Sequence, residues 1–221
     1  MSSSYLPFNL PSPHRIILAS ASPRRSEILQ TMGLKLNVDF EVMESPFDED
    51  EGDFRDLKFK VTPPEYVITS AFNKADAVFN KEVPTWVPPS TGGSVVVVGA
   101  DTVVELDGVV MEKPKNVEGA CDMLRSLSGR VHNVHTGIAL VSGGKGGEKK
   151  VEKWCDTSKV KFRDLEEEDI QAYVATGEPM DKAGSYGIQG MGGMLIEGME
   201  GDFYGIMGLP MGELAKRLGG I

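Results

Sequence analysis

The sequence predicts a mixed α/β (α+β) fold in which helices flank a central mixed sheet. Three observations predict it. Short β-branched runs alternate with segments of helical period along the 221 residues. Residues 95–98 are four valines in a row, the pattern of a strand buried on both faces. Residues 15–19 (RIILA) are a second such run and lead directly into a loop and a helix. With hydrophobic residues at 40%, the chain can bury a sizeable core, as one large domain or as two lobes around a cleft.

The elements follow in order. After the first strand comes Ser-Ala-Ser-Pro-Arg-Arg at residues 20–25; Pro23 suits a first helical turn, and Ile28, Leu29 and Met32 recur at helical spacing up to Gly33. Residues 36–40 predict a second strand, and residues 44–56 an acidic loop. Pro63 and Pro64 open a helix whose apolar positions are Tyr66, Val67, Ala71, Ala75 and Val78, before residues 84–94 (PTWVPPSTGGS) break all regularity. The valine strand stops at Gly99-Ala100-Asp101, which places an acid at a strand end, and residues 102–105 continue extended. Asp107-Gly108 predicts a tight hairpin that turns residues 109–111 back toward Lys113 and can bring Lys113 near Asp101. Asn116 caps a helix through Ala120, Met123, Leu124 and Leu127 that closes at Gly129. Residues 132–142 and 150–162 are two long strands joined by a Gly-rich tip. The acids at 166–169 sit in the first turns of a helix reaching Tyr173 and Val174, where they favour the helix dipole. Residues 194–196 and 203–207 predict a β-hairpin around Glu200-Gly201-Asp202, and a short helix follows Pro210.

Composition excludes several classes. No window approaches the about eighteen uninterrupted apolar residues of a membrane span. Residues 1–14 lack the basic and apolar regions of a secretory signal and read as an N-terminal extension ahead of one domain at 15–221. The formal net charge of -10 repels a long polyanion, so nucleic acid is not the expected partner, and no aromatic-basic platform is present. A small anionic ligand remains open to a local cluster of cations. Cys121 and Cys155 read as a pair of buried thiols in a reducing compartment.

The residues that can carry chemistry are few. At residues 20–25, hydroxyls, guanidinium groups and the free amides of a helix N-terminus converge, which suits a triphosphate tail. A helix capped by Ser22, with Arg24 and Arg25 solvated, is the competing arrangement. Asp101 after a buried strand must be paired, hydrogen-bonded or metal-bound, or else cap local backbone. Glu49 lies in an acidic run of the kind that is often simply solvated. Lys74 and Lys113 are point charges of the type phosphate chemistry needs. Gln189, set among glycines, carries an amide that can both donate to and accept from a base edge. His132 and His135 point to opposite faces of a strand and form no metal cluster.

The chain resembles the Maf family of nucleoside triphosphate pyrophosphatases, named for septum formation. The resemblance is carried by IILASASPRRSEIL, VVGADTVVELDGVVMEKP, MLRSLSGRVHNVHTGIAL, EPMDKAGSYGIQG and YGIMGLP, and spans nearly the whole chain from Arg15 onward. It implies two lobes flanking a cleft, as in inosine triphosphate pyrophosphatases. It implies hydrolysis of a nucleoside triphosphate to monophosphate and pyrophosphate with Mg²⁺ or Mn²⁺, in the cytoplasm, by a homodimer. By the same resemblance Asp101 is the proton acceptor; Ser20, Arg24, Lys74 and Lys113 contact phosphates; Glu49 and Asp101 are the metal-proximal acids. Arg24, Thr102 and Gln189 match the specificity positions of the dTTP/UTP branch, modified uridine triphosphates included. The 7-methyl-GTP branch has an aromatic residue in place of Arg24 and acids in place of Thr102 and Gln189, so it fits less well. A noncatalytic nucleotide sensor acting on cell division is the alternative from another class. Residues 84–94 and 143–150 look like insertions relative to compact bacterial members and interrupt no motif.

Overall fold

The structure is a computed structural model describing residues 14–87, 93–144 and 146–221. Residues 1–13, most of the predicted N-terminal extension, lie outside the described residues, as do 88–92 and 145 within the two predicted insertions. Among the described residues one seven-stranded mixed sheet forms the centre. Strand β1 (His14–Ala19) pairs in parallel with β2 (Phe40–Val42) and with β3 (Ser94–Leu106). From β3 outward the sheet is antiparallel, through β5 (Val131–Gly143), β6 (Lys150–Phe162) and β7 (Ile196–Glu200), while β4 (Val109–Met111) forms a hairpin on β3. The hairpin turn at Asp107-Gly108 has φ of 53° and 81° at its two central residues, the left-handed pair a two-residue turn requires.

Side chains alternate across β3, and the alternation sorts the core. Val95 and Val97 face helix α2 (Pro63–Glu82), packing on Ala71, Ala75 and Val78. Val96, Val98 and Ala100 face the other way, onto helices α1 (Pro23–Thr31) and α6 (Met211–Leu218) through Ile28, Leu29 and Leu214. Further along the same strand, Val104 and Leu106 enter a different cluster with α3 (Val117–Leu127) and α4 (Glu167–Ala175). Each fully buried Val or Leu contributes about 1.5–3 kcal/mol. The two halves of the core therefore share the long strands β3 and β5, and Asp101 and Thr102 lie where one half gives way to the other.

Glycines set how closely α2 lies on the sheet. A Cβ at Gly99 would stand 2.1 Å from the Ala71 carbonyl oxygen, and one at Gly137 2.3 Å from the backbone of Val67. The helix backbone thus rests directly on β3 and β5, which lowers the side chains of its next turn onto Asp101. At the start of α2, Pro63 and Pro64 follow Thr62, whose N–H donates to Glu65 Oε2 at 2.9 Å.

Three local expectations are corrected. The strand expected at 36–40 begins only at Phe40: Asn37 adopts φ 60°, and the Lys35 N–H donates to Asp39 Oδ2 at 2.7 Å, so residues 35–39 close into a turn. The hairpin partner expected at 203–207 is instead helix α5 (Phe203–Met207), because Asp202 Oδ1 accepts from the N–H groups of Tyr204 and Gly205 at 2.7 and 3.0 Å. β7 pairs with β6 in its place. Finally, β3 does not stop at Asp101. It continues to Leu106, and what ends is its parallel pairing with β1, at Ala19 and Gly99.

Candidate active site

The end of β1 creates the first part of the site. Beyond Ala19 the chain leaves the sheet, and Ser20, now buried, takes two bonds on its hydroxyl oxygen: from the Ser22 N–H at 3.2 Å and from Arg25 Nη1 at 3.0 Å. Ser22 is the N-cap of α1 but makes no side-chain cap bond, so the simple capped helix is not what forms. The first turn of α1 instead presents its positive end at the loop.

The two arginines divide the work in an order the sequence does not reveal. Arg25 turns inward, donating from Nη1 to Ser20, from Nη2 to Thr102 Oγ1 at 3.1 Å and from Nε to the Gly208 carbonyl at 2.9 Å. Burial pulls its pKa below the ordinary value, opposed first by the charge of Asp101. Arg24 turns outward and pairs with Asp181 at 3.2 Å. Arg25 is thus the spine of the loop, and Arg24 is its available charge.

Thr102 is committed internally. Thr136 Oγ1 donates its hydrogen to the Gly205 carbonyl at 2.8 Å, so the 2.9 Å contact between Thr136 and Thr102 uses the Thr102 hydrogen. The same Thr102 oxygen accepts from Arg25. Its place is beneath the loop, on the sheet face opposite α2.

Asp101 projects from the α2 face of β3, opposite Gly137 of β5. Lys74 meets it there, its Nζ lying 2.9 Å from Asp101 Oδ1 and 2.9 Å from Glu49 Oε1. Lys74 and Asp101 are 15% and 14% exposed, against 37% for Glu49, so the pair is screened from water while Glu49 borders it. Ser70, one turn before Lys74, also donates to Glu49. Another turn back, Tyr66 donates to Glu112 at 3.0 Å, and Glu112 pairs with Lys58. Burial raises the Tyr66 phenol above its ordinary value, with Glu112 and then Asp101 adding to the effect. Tyr66, Ser70 and Lys74 recur at i, i+4 and i+8, so one stripe of α2 organises Glu112, Glu49 and Asp101.

Lys113 follows β4 and is exposed; among the described residues no hydrogen bond or ion pair joins it to Asp101. Gln189 is exposed too, and its Nε2 donates to Glu27 Oε2 of α1 at 3.2 Å, which sets it against the helix that follows the Ser20–Arg25 loop. The structure therefore joins Asp101, Lys74 and Glu49 directly, joins Ser20 and Thr102 through Arg25, and leaves Arg24, Lys113 and Gln189 outside these contacts. The sequence places Arg25 in the loop without a role of its own and gives no sign of the parts played by Ser70, Tyr66 and Glu112; the fourfold spacing on α2 was the available signal for Tyr66 and Ser70. His132 and His135 are occupied elsewhere, with Tyr186 and with Thr157.

Among the described residues no group of three or more His, Cys, Asp and Glu side chains is placed to hold a metal ion. Glu49 and Asp101 are two hard oxygen donors converging on one ammonium. That set fits a Mg²⁺-like cation, which is commonly held by one or two carboxylates and takes its other ligands from phosphate and water.

A loop carrying two arginines at the end of a parallel strand, beside a carboxylate–lysine cluster, defines the candidate site of a mixed α/β protein. The model of the family described as "Maf-like protein" matches residues 15–221, and the chain belongs to that family. It is 44% identical over 205 residues to the dTTP/UTP pyrophosphatase of Clostridium perfringens (strain 13 / Type A), covering 92% of this chain and 95% of that one. It is likewise 44% identical over 207 residues to the dTTP/UTP pyrophosphatase of Dictyoglomus thermophilum, covering 92% and 96%. A Homo sapiens relative, "Probable bifunctional dTTP/UTP pyrophosphatase/methyltransferase protein", is 43% identical over 209 residues, which is 92% of this chain and 31% of that one. A crystal structure of a nucleoside-triphosphatase / dITP/XTP pyrophosphatase from Mycobacterium abscessus aligns at 15% identity over 66% of this chain and 74% of its own, with a TM-score of 0.33, too loose a likeness to define the fold.

Proposed function

We propose that this chain hydrolyses nucleoside triphosphates, dTTP and UTP above others and modified uridine triphosphates among them, to the monophosphate and pyrophosphate. The observation that carries this is Asp101 held by Lys74 beside the Ser20–Arg25 loop, within a chain 44% identical to dTTP/UTP pyrophosphatases. Arg24, Lys74 and Lys113 hold the triphosphate, and Ser20 and the α1 amides hold one of its oxygens. Asp101 accepts the proton of a water whose oxygen forms a bond to the α-phosphorus, while the bond from that phosphorus to the α–β bridging oxygen breaks and pyrophosphate leaves. Lys74 aims Asp101 through their 2.9 Å ion pair, and shares its charge with the anion as negative charge grows on the leaving group. Mg²⁺ or Mn²⁺, when bound by Glu49 and Asp101, supplies charge neutralisation to the phosphates.

Gln189 suits uracil or thymine because its amide, with loop backbone nearby, matches the O4 acceptor and N3 donor; cytosine inverts that pattern. The unpaired thiols Cys121 and Cys155 suit a reducing cytoplasm. Among the described residues no helix is long and apolar enough to cross a membrane. A homodimer completes the proposal, as the commonest closed assembly.

The test is pyrophosphate release from a panel of triphosphates with and without Mg²⁺. UTP and dTTP should lead, and Asp101→Asn should lower turnover by about a thousandfold or more while the urea midpoint holds. Equal rates on UTP, CTP and GTP would refute the base preference. Near-normal turnover in Asp101→Asn would refute the role of Asp101.

A further inference from the structure

The segment after α4 is built around one carboxylate. Glu178 Oε1 accepts from the Tyr173 hydroxyl at 3.0 Å and from the Gly192 N–H at 3.1 Å, and Oε2 accepts from the Met191 N–H at 3.0 Å. The Tyr173 oxygen in turn accepts from the Gly187 N–H at 3.2 Å. Both ends of the 187–192 loop therefore hang from a single carboxyl–phenol pair. The wrapping is tight: a Cβ at Gly190 would stand 2.5 Å from Glu178 Oε1, and one at Gly192 2.6 Å from the Tyr173 oxygen. Burial pushes the Glu178 carboxyl up, but the N–H groups of Gly192 and Met191, the Tyr173 hydroxyl and the Lys182 charge together outweigh it and hold the group below its usual range. An ionised carboxylate only accepts, which is what its three donors require.

The loop so held carries Gln189 at its tip, against Glu27 of α1. The same turn reaches the phosphate loop a second time. Lys182 Nζ donates to the Glu178 carbonyl at 2.7 Å and to Asp181 Oδ1 at 2.6 Å, and Asp181 Oδ2 takes Arg24. Gln189 and Arg24 thus both take their places from a turn that begins at Glu178.

We propose that Glu178 is a specificity-positioning residue, whose carboxylate fixes the 187–192 loop so that Gln189 meets the base of a nucleotide held by the Ser20–Arg25 loop. The base-reading half rests on the dTTP/UTP assignment above; the hold on the loop does not. Glu178→Gln keeps one acceptor oxygen but turns an NH₂ donor toward a backbone N–H, breaking the arrangement with little change in volume. Tyr173→Phe removes the phenol alone.

Two measurements on the full chain test the proposal. Hydrogen exchange should rise about tenfold at residues 187–192 in Glu178→Gln while the β5 amides stay protected, with a smaller rise in Tyr173→Phe. In steady-state kinetics with Mg²⁺, the KM for UTP should rise about tenfold and kcat stay within about twofold, and the preference for UTP over CTP should fall with it. Unchanged exchange in either folded variant overturns the hold. A loosened loop with the UTP-to-CTP ratio intact overturns the specificity role. A parent chain that treats UTP and CTP alike overturns the dTTP/UTP assignment and the base-reading role together, whereas exchange alone still decides the hold. If Glu178→Gln does not fold, Tyr173→Phe decides both.

Discussion

Arg25 and Arg24 show how little residue type says about role. They are adjacent, identical in chemistry and opposite in direction: Arg25 satisfies Ser20, Thr102 and Gly208, while Arg24 pairs with Asp181. A guanidinium reaches three acceptors at fixed angles, which a single ammonium does not. Arg25→Lys should therefore leave partly buried acceptors without donors, at about 1–3 kcal/mol after relaxation. The urea midpoint should fall and the KM for UTP should rise about tenfold or more. Arg24→Lys should raise KM without moving the midpoint. Arg25→Lys with both quantities unmoved would show that the loop does not depend on its spine.

At the scale of elements, α2 is the part that assembles the cluster. Its small residues Ala71 and Ala75 sit on Gly99, and Gly137 accepts its backbone at Val67, so Tyr66, Ser70 and Lys74 are delivered to their acids by the depth of the helix. Gly99→Ala would place a methyl against the Ala71 carbonyl, and backbone on both sides leaves no flexible end to give way. Overpacking of this kind costs about 1–3 kcal/mol. Lifting α2 should also draw Lys74 off Asp101 and lower kcat more than it changes KM; urea unfolding with steady-state kinetics measures both, and a variant with parental stability and kcat would contradict the close approach.

Much of this was legible beforehand. The β1–loop–α1 order, the extent of α2, the Asp107-Gly108 turn and the strands β5 and β6 follow from local pattern, and the acid–lysine set follows from the family resemblance. What was not legible depended on partners distant in sequence or on caps that outrank apolar runs. Residues 203–207 look like a strand until Asp202 is seen to cap them, and residues 36–39 until Asn37 turns left-handed. Asp101 looks like a strand-end acid because the end belongs to β1, the neighbour of β3, rather than to β3 itself. Nothing local marks Glu178, whose partners lie up to fourteen residues away.

At the scale of the whole molecule, the two halves of the core share β3 and β5, so a group buried in one half reports on the stability of both. His132 is such a group: it is 2% exposed, lies edge-on to Phe162 and Tyr186, bonds the Tyr186 hydroxyl through Nε2 at 2.8 Å and, among the described residues, has no partner at Nδ1. Burial pushes it down to about 4 from an ordinary 6.5, with Glu105 opposing. The unfolded chain therefore binds more protons than the folded one between those two values. The stability due to neutral His132 is complete above pH 6.5 and is lost as pH falls toward 4, by roughly 3 kcal/mol in all. Between pH 7 and pH 5 the loss should be about 2 kcal/mol. His132→Gln keeps a polar group near Tyr186 but does not titrate. Urea unfolding of parent and variant at both pH values isolates the effect, because the carboxylates and His135, itself lowered by burial, are common to both proteins. The parent should lose about 2 kcal/mol more than the variant, and equal losses would mean that the imidazole takes up its proton without disturbing the folded state.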